Sequence, residues 1–166
     1  MSHVPVGAPA PDFSLAPGPG PDRVILSELR GHPVVLLFFP LAFSGVCTDE
    51  MCQVAEAWPK WEALDARVLG ISVDSPFVNR RFAEETGAPF PILSDFNKDA
   101  SSAYGVLYPD YFGMHGVSKR AAFVVDPEGR IAYAWVSEDA DRLPPFDEVR
   151  AAAVRAGRTP GDPYGA

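Results

Sequence analysis

Six consecutive apolar residues, Val34 to Phe39, stand between Pro33 and Pro40. A strand that is apolar on both faces needs cover on both sides, the situation of a central strand in a layered α/β sheet. The two prolines mark its ends, because neither can donate to a ladder. At this length the run falls far short of the roughly 20 residues that a bilayer crossing requires. Every other element has to be arranged around this strand.

Beyond Pro40, Gly45 to about Leu64 has helical spacing, with Val46, Met51, Val54, Ala55, Trp58, Trp61 and Leu64 on one broad face. Pro59 is expected to kink or split that helix. Residues 68–73 read as a second buried strand. Ser75-Pro76 then opens a helix to about Thr86, with Ser75 as N-cap, Pro76 in the first position and Gly87 past the end. Residues 91–94 form a short strand and 98–104 a short helix. Residues 121–125 and 131–136 flank the turn-forming Asp126-Pro127-Glu128-Gly129-Arg130 and read as an antiparallel hairpin, and Phe146–Ala156 is the last helix. Near the start, Phe13-Ser14-Leu15 and Arg23-Val24-Ile25-Leu26 are expected to pair across the Pro/Gly-rich turn at 16–21. The order predicts an α/β domain over residues 1–157 with a mixed central sheet flanked by helices, and a tail over 158–166.

Composition narrows the function. The 18 prolines among 166 residues are concentrated in flanking segments and at element ends, so they report boundaries and not disorder. With 14 Lys+Arg against 22 Asp+Glu, a net charge of −8, the chain lacks the footprint of a nucleic-acid binder. Two cysteines cannot staple a disulfide scaffold or alone form a four-ligand zinc site, and His3, His32 and His115 stand apart from them. No metal or cofactor is expected, and no membrane association. No basic segment followed by an apolar one opens the chain, so the cytoplasm is the expected compartment, where paired thiols are more often catalytic than structural.

The chemistry-bearing stretch follows the central strand. Cys47 falls in the first turn of a helix, where unpaired N–H groups and the helix dipole favour negative charge, and the thiolate is the nucleophile. Ser44 is placed either to cap the helix or to hydrogen-bond the sulfur and an incoming oxygen. Singly, each has a plainer reading, as a small buried hydrophobe and a simple cap. Jointly, Pro-x-x-x-Ser-x-x-Cys at 40, 44 and 47 resembles the peroxiredoxin active-site signature. The segment Val6-Gly7-Ala8-Pro9-Ala10-Pro11-Asp12-Phe13-Ser14-Leu15 resembles the family's opening segment. Arg120-Ala121-Ala122-Phe123-Val124-Val125-Asp126 is similar to its Arg-x-x-Phe-Val-Val-Asp strand, and Tyr104-Gly105-Val106 also has a family look. Residues 39–47 look most like the one-cysteine alkyl hydroperoxide reductase E group, with serine at 44 where threonine is commoner. Cys-x-x-x-x-Cys at 47 and 52 instead resembles the bacterioferritin-comigratory-protein (PrxQ) group.

The resemblance implies a thioredoxin-like fold with an N-terminal β-hairpin extension, and reduction of hydrogen peroxide and alkyl hydroperoxides. It implies that Cys47 is peroxidatic, leaving a sulfenic acid. It places Arg120 beside the cysteine helix as a permanent charge for the thiolate and the departing oxygen. Pro40 would shield the pocket, while Glu50 has a dipole or capping role as open to it as a catalytic one. Cys52 would resolve the sulfenic acid. Five residues along a helix give about 7.5 Å of rise and about 140° between side chains, whereas a disulfide needs Cα atoms at roughly 4.4–6.8 Å. The bond therefore demands that the first turns unwind. The alternative leaves Cys52 an ordinary thiol in a one-cysteine enzyme. No cysteine follows Cys52, so an external thioredoxin or glutaredoxin-like reductant is expected. A thiol-based peroxide sensor is the rival reading; a thioredoxin-type oxidoreductase is disfavoured because four residues, not two, separate the thiols. Monomer and homodimer both remain open, with Pro76-Phe77 and residues 108–112 as apolar edges, and Phe43 and Phe112 as a rim favouring alkyl hydroperoxides.

Overall fold

The apolar run becomes the middle of a five-stranded sheet. A computed structural model describes residues 2–157, and the expected tail at 158–166 lies outside the described residues. A short antiparallel hairpin, β1 (Ser14–Leu15) and β2 (Val24–Ile25), precedes the central strand β3 (Val34–Phe38). Then come α1 (Gly45–Glu56), α2 (Trp58–Glu62), β4 (Arg67–Ser72), α3 (Pro76–Thr86), β5 (Ile92–Ser94) and α4 (Asp99–Ala103). The hairpin β6 (Arg120–Val125) and β7 (Ile131–Ser137) and the helix α5 (Phe146–Ala156) complete the chain.

The sheet order is β5-β4-β3-β6-β7. β3 runs parallel to β4, which is parallel to β5, and antiparallel to β6, which is antiparallel to β7. The sheet is mixed, as its alternation of strands and helices followed by a hairpin implies. Side chains of β3 alternate between two cores, the period-2 consequence of pleating. Val34, Leu36 and Phe38 pack with Phe13, Leu15, Tyr104 and Phe123 on one face. Val35 and Leu37, with Phe39 just beyond the strand, pack with Cys47, Met51, Trp61, Phe82 and Val149 on the other. Cover on both faces explains why the run carries no polar residue.

Local chemistry sets most boundaries. α3 starts where Ser75 Oγ accepts the Val78 N–H at 3.2 Å, and ends at Gly87, whose φ of +69° suits a residue without Cβ. The expected long cysteine helix is two helices broken at Ala57, because Pro59 fits only in the first turn of the second. A 3-10 turn over Leu26–Leu29 was not anticipated; Asp12 holds it by accepting the Ser27 N–H at 2.9 Å from 15 residues away.

The register of β3 against β6 positions the site. Phe38 pairs with Ala121, which brings Arg120, the first residue of β6, level with Phe39 at the end of β3. Arg120 shares its side of β6 with Ala122 and Val124, and these belong to the core that contains Cys47.

Candidate active site

Strand β3 ends, a short loop follows, and α1 begins with Gly45-Val46-Cys47. The Cys47 thiol is fully buried. Arg120, only 1 % exposed, points all three guanidinium nitrogens at partners. Nη2 donates to Cys47 Sγ at 3.2 Å, Nη1 donates to Glu50 Oε1 at 2.5 Å, and Nε donates to the Ala140 carbonyl at 2.9 Å. Cys47 and Glu50 are three apart on α1 and so share a face, which lets one guanidinium reach both. The register of the sheet buries Arg120 against α1.

Glu50 lies beyond the first turn of α1, where it is fully buried and forms an ion pair with Arg120. Its second oxygen, Oε2, has no partner among the described residues. Burial pushes the Glu50 carboxyl up to about 7, against the opposing pull of the Arg120 charge and hydrogen bond. Burial by itself would lower Arg120, but Glu50 and Cys47 outweigh it and raise the guanidinium above its ordinary range. The guanidinium stays charged beside the sulfur.

The loop before α1 carries Pro40, which is buried, and Ser44. Ser44 occupies the N-cap position, yet its hydroxyl makes no capping bond. It donates instead to the Leu41 carbonyl at 3.1 Å, back within the loop. Between them Phe43 adopts φ +68°, a left-handed conformation that costs a side chain with Cβ about 1–2 kcal/mol. Its ring meets Phe82 of α3 edge-on at 5.2 Å. The Ala42 N–H donates to Asp74 Oδ2 at 2.7 Å. Asp74 was not singled out in the sequence, where Val73-Asp74-Ser75-Pro76 reads only as the lead-in to α3.

Cys52 is half-buried and free, on the same unbroken helix as Cys47. Of the expected site residues, Cys47, Arg120 and Glu50 are brought into contact, Pro40 and Ser44 form the approach to α1, and Cys52 stands one and a half turns along. Phe112 is 87 % exposed, at the tip of a turn in which Tyr111 and Met114 exchange backbone hydrogen bonds. The Tyr111 phenol is raised, chiefly by burial.

The sequence profile of the AhpC/TSA family matches residues 6–134, more than half of the chain. This chain belongs to the AhpC/TSA family. It is a peroxiredoxin of the type formed by the alkyl hydroperoxide reductase E and bcp proteins. Alkyl hydroperoxide reductase E of Mycobacterium tuberculosis is 40 % identical over 136 residues, covering 80 % of this chain and 86 % of that one. A putative peroxiredoxin of Synechocystis is 38 % identical over 141 residues, covering 80 % and 68 %. Among solved structures, peroxidoxin BcpB of M. tuberculosis superposes with a TM-score of 0.80 at 30 % identity, covering 95 % of this chain and all of that one.

The peroxiredoxin fold is thioredoxin-like, and the hairpin β1–β2 is its N-terminal extension here. As a peroxiredoxin the chain is an oxidoreductase that reduces peroxides with a thiol. Among the described residues no helix is long and apolar enough to cross a membrane.

Proposed function

We propose that residues 1–157 act as one peroxidase domain in which Cys47 is the peroxidatic residue, Arg120 its electrostatic partner and Cys52 the resolving thiol. The observation that carries this reading is the 3.2 Å hydrogen bond from Arg120 Nη2 to a buried sulfur at a helix start. The Cys47 thiolate attacks the terminal oxygen of the hydroperoxide, the O–O bond breaks, and the departing alkoxide or hydroxide takes up a proton. The sulfur is left as a sulfenic acid. Arg120 holds its charge through the step and has donors for both the sulfur and the developing negative oxygen. Pro40 and Ser44 shape the approach, Pro40 by offering no N–H and Ser44 by closing the loop on Leu41.

Cys52 then attacks the sulfenic sulfur and releases water, forming a disulfide that an external dithiol of the thioredoxin or glutaredoxin type reduces. Because α1 is unbroken from Gly45 to Glu56, this step requires its first turns to unwind. The same continuity favours a second reading, a one-cysteine peroxidase in which Cys52 stays free. Two free thiols suit the cytoplasm, and the exposed Phe77 and Phe112, 71 % and 87 % accessible, suit a homodimer edge as well as a monomer's apolar rim.

Peroxide consumption with a regenerating thiol tests the proposal. The parent turns over repeatedly and Cys47→Ser does not; a sensor would react once. Mass spectrometry after one equivalent of peroxide separates the two readings, with a mass loss of two hydrogens for the disulfide and a gain of one oxygen for a persistent sulfenic acid.

A further inference from the structure

The loop that delivers Cys47 is tied to the rest of the fold by a carboxylate. Asp74 Oδ2 accepts the Ala42 N–H at 2.7 Å and the Ser72 hydroxyl at 2.8 Å. Ser72 is fully buried, and its Oγ also lies 3.0 Å from Asn79 Oδ1, while Asn79 Nδ2 donates to the Leu93 carbonyl at 3.1 Å. The Asp74 N–H returns to Ser72 Oγ at 3.3 Å, and the Asp74 carbonyl accepts the Ser94 hydroxyl at 2.6 Å. A carboxylate bonded to Ser72 of β4, on a residue whose backbone is tied to β4 and β5, is therefore aimed at one backbone N–H of a loop on a different element. The next residue of that loop, Phe43, sits at φ +68° and rests its ring on Phe82. Such a conformation persists only where its surroundings over-determine it, and the Asp74 bond and the Phe82 contact do so here.

We propose that Asp74 is a positioning residue for the peroxidatic thiol. By holding Ala42 it fixes Phe43 and Ser44, and so sets where α1 begins and where Cys47 meets Arg120. The same bond closes the upstream boundary of the segment that has to unwind before Cys52 can reach Cys47. Its loss has opposite effects on the two chemical steps. Peroxide attack slows because the sulfur is no longer held against Arg120, and disulfide formation quickens because the first turn of α1 is released. The inference rests on the peroxidase reading above.

The test is stopped-flow oxidation in a Cys52→Ser background, which isolates the peroxide step. Asp74→Ala is expected to lower the second-order rate constant for hydrogen peroxide about tenfold, the scale of a charge-assisted bond. Asp74→Asn, whose amide oxygen can accept from both Ala42 and Ser72, is expected to restore it to within about threefold. With Cys52 present, Asp74→Ala is expected to form the disulfide faster than the parent after oxidation. If Asp74→Ala does not fold, Ser72→Ala, which frees the carboxylate without removing it, is expected to lower the oxidation rate about threefold. An Asp74→Ala protein oxidised at the background rate overturns the proposal, and so do two steps slowed in parallel. If the parent forms no disulfide, the oxidation rate alone decides. Failure of the peroxidase reading has a different signature: Cys47→Ser would consume peroxide as fast as the parent.

Discussion

A single guanidinium serves three masters in this site. Arg120 bonds the sulfur, a buried carboxylate and a backbone carbonyl with its three nitrogens. Lysine offers one point charge in place of that fork, so Arg120→Lys is expected to cut kcat/KM for peroxide at least a hundredfold, measured against a thiol-limited control. Removing the charge altogether does further damage. Arg120→Met leaves Glu50 buried and unpaired and is expected to cost about 3–5 kcal/mol in urea unfolding. Adding Glu50→Gln to that variant is expected to recover much of the loss. The carboxyl of Glu50 also ties stability to pH. Its folded value is raised to about 7 from an ordinary 4.5, so the native state holds this proton more tightly than the unfolded chain. The stability it contributes is complete below about pH 4.5 and is lost as pH rises through about 7. Glu50→Gln is expected to flatten that decline, which thermal unfolding at a series of pH values between 4.5 and 7.5 will measure. At this scale the local pattern puts Cys47 in the first turn of a helix, where the structure has it, whereas partners distant in the chain leave no local signal. Glu50 looked like a helix-start carboxylate because nothing near it in the chain hints at Arg120, 70 residues on. Asp74 gave no signal for the same reason, since the N–H it holds is Ala42's, 32 residues back.

Among the elements, α1 is the one with two tasks. Its first turn presents the Cys47 sulfur, while Met51 and Val54 of its later turns are buried in the core. Unwinding for a Cys47–Cys52 disulfide must therefore stop short of the core-facing half. Hydrogen exchange is expected to show amides 45–50 losing protection on oxidation while those of 53–56 keep theirs; protection unchanged throughout would favour the one-cysteine cycle. Ends of elements were legible wherever a side chain or a special backbone angle enforces them, as Ser75 and Gly87 do for α3. Ser44 shows the limit of that signal. A serine before a helix has two satisfactory partners, and here the Leu41 carbonyl takes its proton. The 3-10 turn at Leu26–Leu29 escaped because its organising group, Asp12, lies across the hairpin.

On the scale of the whole molecule, β3 organises everything else. Its side chains enter two cores in strict alternation, so each position is a packing site with no room to relax toward solvent. Leu36→Ala is expected to cost about 2–5 kcal/mol in chemical denaturation. The α/β layering was legible from this run and from the order of elements around it. The pairing of β3 with β6 was not, since no local pattern says which of the remaining strands fills the vacant edge of the central one. The resemblance carried by Arg120–Asp126 supplied what the periodicity lacks.

That pairing makes the enzyme's reactivity a late product of its own folding. Cys47 is made early in the chain, and the guanidinium that bonds its sulfur is made 73 residues later, on a strand that reaches the thiol only by docking against β3 in one register. A slip of one residue would turn Arg120 to the opposite face of the sheet. A half-made or half-unfolded chain thus carries an ordinary thiol at this position, with neither the guanidinium nor the buried pocket around it. On the proposed reading of the site, the fold works as a safety catch: the sulfur becomes fit to meet an oxidant only once the sheet that protects it has closed.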